Sequence, residues 1–170
     1  MRNPVRLPGR TPRVERPRVD VGRGERLLAW AETSDGVVLA GTRDAVYLPG
    51  GVRLPWEQVE AADWDRDAEL FRLSEVGSWG EQRREHTFAL GEPGRFLELV
   101  RERVTASLLL QRHVPVGDGA GLRVIARRAP RGGTIAWFVH YDEGVDPGDP
   151  DVRTLAEAAL VAARGEVGHE

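Results

Sequence analysis

The segment from Gly41 to Asp65 constrains the fold of this chain more than any other part of the sequence. It reads as a β-hairpin, a tight turn at Pro49-Gly50-Gly51, and a Leu54-Pro55-Trp56 corner that enters another strand. Clusters of proline and glycine mark turns between regular elements. The pattern predicts a compact β-structure made of short strands and tight turns.

Apolar residues alternate with polar ones on both sides of this segment, which is typical of half-buried strands. Seven short strands separated by turn residues favour a barrel or a sandwich. The predicted strands lie at about residues 26–32, 37–41, 45–48, 52–54, 59–65, 68–75 and 84–90.

A helical pattern follows the strands. Apolar residues recur at helical spacing from Phe96 to Leu108, and Pro93 suits the first turn, so we predict a helix that ends near Arg112. A ββα extension comes next, with strands at about 113–116, 122–129 and 134–141. Its helix is predicted to begin after the N-cap Asp149 and to stop at Gly165.

Two short motifs carry a family resemblance. Residues 42–48, TRDAVYL, and residues 53–59, RLPWEQV, resemble the hairpin and the proline-aromatic corner of bacterial pleckstrin-homology-like domains. The whole chain also resembles a group of actinobacterial proteins of this length, which implies no activity. The resemblance implies an α+β fold, in which two nearly orthogonal sheets form a seven-stranded barrel that a C-terminal helix caps.

The resemblance divides the chain into three parts. We predict a disordered Arg/Pro-rich arm at 1–23, the barrel with its capping helix at 24–113, and the ββα extension packed on the barrel at 114–170. Phosphoinositide-binding members of the family use basic residues in the first loop. Here that loop, residues 32–36, is acidic, so we do not expect binding of inositol lipids there.

Composition excludes several kinds of chemistry. The chain has no cysteine, which rules out disulfides and thiolate-bound metals. It has no lysine either, so a Walker A loop and a Schiff-base lysine are impossible. No apolar run approaches the roughly 18 to 20 residues that span a bilayer. We therefore expect a cytoplasmic protein that is not an integral membrane protein.

Charge is distributed unevenly along the chain. Residues 1–18 contain six arginines and one acid, a net +5, which leaves −8 for the rest of a chain whose formal charge is −3. Four prolines in this arm disfavour a helix. The arm could bind nucleic acid or an anionic surface, lie across the acidic body of its own protein, or stay disordered.

Two surfaces are candidates for binding a partner or an anion. The predicted hairpin tip is rich in arginine, whose forked donors suit phosphate or carboxylate. A glycine-flanked tryptophan in the loop at 76–83 suits a partner surface. The candidate residues are Trp79, Arg83, Arg84, Arg123, Arg127, Arg128 and Arg131.

Catalytic and metal-binding patterns are weak. Asp63, Asp65 and Asp67 have the spacing of the first calcium-loop ligands, but the later positions of such a loop hold Ala68 and Ser74. The acids between Asp142 and Asp151 suit a helix N-terminus. The histidines share no ligand motif, and Ser78 lies in a near miss of the nucleophile elbow. We predict no catalytic residue, metal or cofactor.

The sequence thus favours a non-catalytic binding or scaffolding module that contacts another protein. The apolar strand from Ile135 to Tyr141 needs cover on both faces, so a homodimer is one option. Two alternatives stay open: a nucleic-acid or anionic-surface accessory protein that uses the arm and the Arg127–Arg131 tip, and a small-molecule enzyme.

Overall fold

The computed structural model describes residues 15–77, 84–117 and 119–168. Within these residues the chain forms three antiparallel sheets and two α-helices. The first sheet contains β1 (Ala29–Glu32), β2 (Val38–Gly41), β3 (Ala45–Leu48) and β4 (Val52–Pro55) in that order. The second contains β5 (Val59–Asp65), β6 (Leu70–Glu75) and β7 (Glu85–Ala89). Each sheet is therefore a meander, in which strands that follow one another along the chain pair side by side.

The helix α1 (Gly94–Ser107) joins the first two sheets into one core. It packs against β1, β2 and β5, and Phe96 meets Phe71 edge to face at 5.6 Å between ring centroids. Gly41 is placed where any side chain would collide with Leu99, so the first sheet and α1 approach closely. The shared core contains Leu39, Val46, Leu54, Trp56, Val59, Phe71, Leu73, Leu90, Phe96, Leu99 and Val100.

The predicted seven-stranded barrel is wrong. Closing a barrel needs an unbroken ladder of strand pairs, but β4 and β5 lie in different sheets. The chain turns through a single 3-10 turn at Trp56–Gln58 between them. Among the described residues, an isolated bridge between Thr33 and Leu90 is the strand pairing that links the two sheets. The seven strands thus form two separate sheets around one core, within a fold that mixes helices with antiparallel sheets.

The third sheet follows α1 without a connecting loop. It has the order β10 (Ala136–Tyr141), β9 (Ala120–Arg127) and β8 (Leu108–Gly117), and α2 (Pro150–Val167) packs on β8 and β9. The predicted helix end near Arg112 is wrong, because residues 108–112 pair with β9. Asp149 is the N-cap as predicted and accepts a hydrogen bond from the Asp151 N–H, but α2 passes Gly165 and ends at Gly168.

Candidate binding groove between β5 and α1

An open groove runs between β5 and α1. It encloses about 350 Å³ and has an apolar floor with polar residues at its rims. The strand β5 lies at an edge of the second sheet, where it pairs with β6 alone among the described strands. The lining residues are Ala61, Ala62, Asp63, Trp64, Phe71, Leu97, Val100, Arg101, Val104 and Thr105.

A β-bulge in β5 sets which of its side chains face the groove. The register shifts between Val59 and Ala61, so Glu60 is the extra residue and the core-facing positions change from odd to even numbers. Val59 is fully buried before the bulge, and Trp64 packs on the shared core after it. Asp63 points outward, with 75% of its side chain exposed. Beyond the bulge, β5 therefore presents one face to the core and one to solvent.

Helical spacing in α1 supplies the opposite wall. Leu97, Val100 and Val104 lie on one side of the helix and line the groove, while Arg101 and Thr105 stand at its rim. Val100 is buried, whereas Leu97 and Val104 are half-buried. Ala61 and Ala62 are exposed and small, so the backbone of β5 is accessible from the groove. This geometry combines a free strand edge with an apolar wall.

The Arg127–Arg131 tip does not form one cationic surface, because Arg127 turns into the interior. Its guanidinium donates to Ser107 Oγ at 2.8 Å, to Val104 O at 3.3 Å and to Glu60 O at 2.9 Å. Only 4% of the residue is exposed. Burial lowers the pKa of Arg127, and the Glu60 carboxylate partly opposes this shift. Arg127 thus braces β9 against α1 and β5.

Arg131 lies at the surface and binds the first sheet. Its guanidinium donates three hydrogen bonds of 2.6 to 3.0 Å to the carboxylate oxygens of Asp44. It donates a further hydrogen bond to Gly24 O. The hydrogen bond from Arg131 lowers the pKa of Asp44. In the opposite direction, the Arg43 guanidinium donates a hydrogen bond to Pro130 O at 3.5 Å. The loop between β9 and β10 is therefore docked on the turn between β2 and β3.

The other predicted binding residues are dispersed. Arg123 approaches Asp142 at 3.6 Å, and the backbone N–H of Arg128 donates to Ser107 O. Arg84 stands exposed just before β7, in a different sheet. Trp79 and Arg83 lie outside the described residues, as do Ser78 and His169. The five candidates that the structure describes therefore do not form one binding surface: Arg84 lies beside the second sheet, and the other four lie on or after β9 of the third sheet.

Each described histidine faces a carboxylate. His86 lies 2.7 Å from Glu75, His113 lies 3.5 Å from Asp142, and His140 Nδ1 lies 3.0 Å from Glu60 Oε1. Both nitrogens of the buried His140 lack a partner in hydrogen-bond geometry, so its contact with Glu60 is one of proximity. Within the described part of the chain, no group of three or more metal-ligating side chains is assembled.

Residues 15–23, at the end of the predicted arm, pack on the first sheet. Arg16 donates to Leu27 O at 2.7 Å, and the Gly22 N–H donates to the Tyr47 hydroxyl at 2.7 Å. Val19 and Val21 pack on a small cluster of buried residues around Leu27 and Tyr47. Residues 15–23 therefore follow the outer face of this sheet without forming a strand or helix.

Sequence reasoning missed the groove. Its signals are modest: two adjacent alanines, Ala61 and Ala62, in a strand followed much later by an amphipathic helix. The bulge that exposes them has no signature in the sequence, since Glu60 is an ordinary strand residue.

Comparison with known proteins supplies no relative for this arrangement: no family model, curated protein or solved structure matches the chain. Of the helices in the described residues, neither is long and apolar enough to cross a membrane.

Proposed function

We propose that this protein is a peptide-binding module whose ligand is an extended segment of a partner protein. The segment adds to the free edge of β5 and places alternate side chains in the groove against α1. Strand addition of this kind obtains affinity from backbone hydrogen bonds and specificity from pockets for every second side chain. The observation that carries the proposal is the accessible edge of β5 beside an apolar groove.

An edge strand directs the N–H and C=O groups of every second residue away from its own sheet. The start of β5 is already engaged, because Glu60 O accepts a bond from Arg127. The accessible stretch is therefore Ala61–Asp65, long enough to pair with about five residues of a ligand. Five residues is a typical strand length.

The two faces of β5 define the chemistry of the ligand. Residues that face the groove meet Trp64, Leu97 and Val104, so the ligand needs apolar side chains two positions apart. Residues on the other face lie beside Asp65 and beside Asp63, whose carboxylate is 3.9 Å from the Arg72 guanidinium and is 75% exposed. Basic side chains at the alternate positions would complement these acids. The expected ligand is thus a segment in which apolar and basic residues alternate.

The test is selection from a display library of random twelve-residue peptides, followed by binding measurements on synthetic copies. Enriched sequences should carry apolar residues two apart with basic residues between them. In Ala62→Arg, a bulky cation fills the groove, so the dissociation constant should rise at least about tenfold, or about 1.4 kcal/mol.

The matched control is Val161→Arg, which places the same side chain on α2 at a residue that is 70% exposed. This control should bind like the wild type. Enrichment of no common pattern, or equal binding to Ala62→Arg and the wild type, would overturn the proposal.

A further inference from the structure

We propose that a second site, an open cleft formed by residues 16–27, binds the phosphate group of a small organic phosphate monoester. This cleft, called the loop cleft below, is lined by residues 16–21 and 25–27 and has a volume of about 510 Å³. It shares no lining residue with the groove between β5 and α1. The inference is therefore independent of the proposed function.

The loop that forms the cleft is closed on itself and fixed to the first sheet. Arg16 donates a hydrogen bond to Leu27 O at 2.7 Å, which joins the two ends of the loop. The Gly22 N–H donates to the Tyr47 hydroxyl at 2.7 Å, and the Glu25 N–H donates to Gly22 O at 2.9 Å. Compact surface loops of about 6 to 16 residues, packed by their own side chains, are frequently functional.

Two arginines share the exposed side of the first half of this loop. Over residues 16–21 the even-numbered residues are exposed and the odd-numbered residues are half-buried. Such alternation is typical of an extended chain that lies on a surface. Val19 and Val21 pack on the cluster of the first sheet. Arg16 and Arg18 therefore lie on the side of the loop that faces solvent.

The loop cleft has an excess of two positive charges. Its charged lining residues are Arg16, Arg18, Asp20, Glu25 and Arg26. The Glu25 carboxylate is already paired with the Arg53 guanidinium at 2.6 Å, so three arginines face one uncompensated acid, Asp20. A phosphate monoester carries close to two negative charges at pH 7. It therefore balances the charge of the cleft, which a carboxylate with its single charge does not.

The donors of the cleft are available to such a ligand. Among the described residues, the side chains of Arg18 and Arg26 have no hydrogen-bond or ion-pair partner. Each guanidinium presents five N–H donors in a planar fork that matches the oxygens of phosphate. The half-buried Pro17 and Val19 line the same cleft and give the organic part of the ligand an apolar wall. The volume lies within the range of about 300 to 1,000 Å³ that is usual for small-molecule sites.

Isothermal titration calorimetry of the full-length protein at pH 7 tests the inference with phenyl phosphate and benzoate, which present the same ring on a dianion and on a monoanion. Phenyl phosphate should bind the wild type at least tenfold more tightly than benzoate. In Arg18→Gln/Arg26→Gln, the dissociation constant of phenyl phosphate should rise at least tenfold, because charge-assisted hydrogen bonds to the phosphate are lost. The control Arg66→Gln/Arg153→Gln removes two exposed arginines elsewhere and should bind like the wild type.

Three results would overturn the inference. The first is no binding of phenyl phosphate to the wild type, or equal binding to the wild type and Arg18→Gln/Arg26→Gln. The second is equal affinity for benzoate and phenyl phosphate. The third is binding of a single-stranded oligonucleotide without a terminal phosphate when phenyl phosphate does not bind, which would assign the cleft to a nucleic-acid backbone. Since both arginines are exposed, the variant should keep the urea midpoint of the wild type, which separates loss of binding from loss of folding.

Discussion

Trp56 shows how much of the core a single residue can specify. It is fully buried, and its indole N–H donates to Thr42 O at 3.1 Å, across the core from the β2–β3 turn. The Thr42 hydroxyl in turn accepts from the N–H groups of Asp44 and Ala45. The corner at Trp56 and the turn at Thr42 are therefore fixed together.

Replacing Trp56 with Phe should destabilise the protein. The substitution removes the donor from a buried carbonyl and leaves a small cavity, which together should cost about 1 to 3 kcal/mol. Urea denaturation monitored by circular dichroism measures the loss. Trp137→Phe, at a half-buried residue of the third sheet, is the comparison and should cost less. An equal loss at both positions would show that the bond to Thr42 O contributes nothing.

The sequence predicted the chain corner at Leu54-Pro55-Trp56, but it placed Arg127 at the surface. Burial of a large aromatic side chain is strongly favoured by the hydrophobic effect, and Trp56 is fully buried. An arginine next to a Gly/Pro-rich tip is usually solvated, whereas Arg127 is buried because it finds three acceptors on α1 and β5. Those acceptors are up to 67 positions away in sequence, so no local pattern could reveal them.

At the scale of elements, the alternation of apolar and polar residues predicted where several strands lie. It did not predict which strands pair with one another. The structure has β3 at Ala45–Leu48 and β5 at Val59–Asp65, as predicted, since glycine, proline and aspartate flank them. The run Leu108-Leu109-Leu110 is apolar enough for either a helix or a strand. Pairing with β9 decides for the strand, which is a tertiary contact outside the reach of local periodicity.

The loop between β9 and β10 gives a pH-dependent prediction. Because Arg131 lowers the folded-state pKa of Asp44, the pair stabilises the fold above the unfolded pKa of about 3.9, and this contribution is lost as pH falls through the folded pKa. Asp44→Asn should therefore lower the denaturation midpoint at pH 7, and the difference from the wild type should disappear at low pH.

Denaturant titrations between pH 7 and pH 2 check this expectation. Asp67→Asn serves as the control, because Asp67 is exposed in the turn after β5. A difference between Asp44→Asn and the wild type that stays constant over the whole range would contradict the role of the ion pair.

For the whole molecule, the third sheet is attached by polar contacts as well as by the chain itself. Arg127 joins it to α1 and β5, and Arg131 joins it to the first sheet. The predicted boundary at residue 113 falls within β8, which pairs with β9 along its length. Because of these contacts, we expect the wild type to unfold in a single transition.

Loss of both contacts should separate the two parts. In Arg127→Ala/Arg131→Ala, the amides of β8–β10 should lose protection at a lower denaturant concentration than those of β2 and β6, measured by native-state hydrogen exchange. The control Arg66→Ala/Arg153→Ala removes two exposed arginines and should keep one transition. Loss of protection in all three sheets at the same denaturant concentration would show that these arginines do not couple them.

The absence of a linker between α1 and β8 has a mechanical consequence. Ser107 ends the helix and Leu108 begins the strand, so a displacement of the last turn of the helix acts directly on β8. A ligand that displaced α1 from its β5 side would therefore also move the start of β8, against the contacts of Arg127 with Glu60 O and of Arg131 with Asp44.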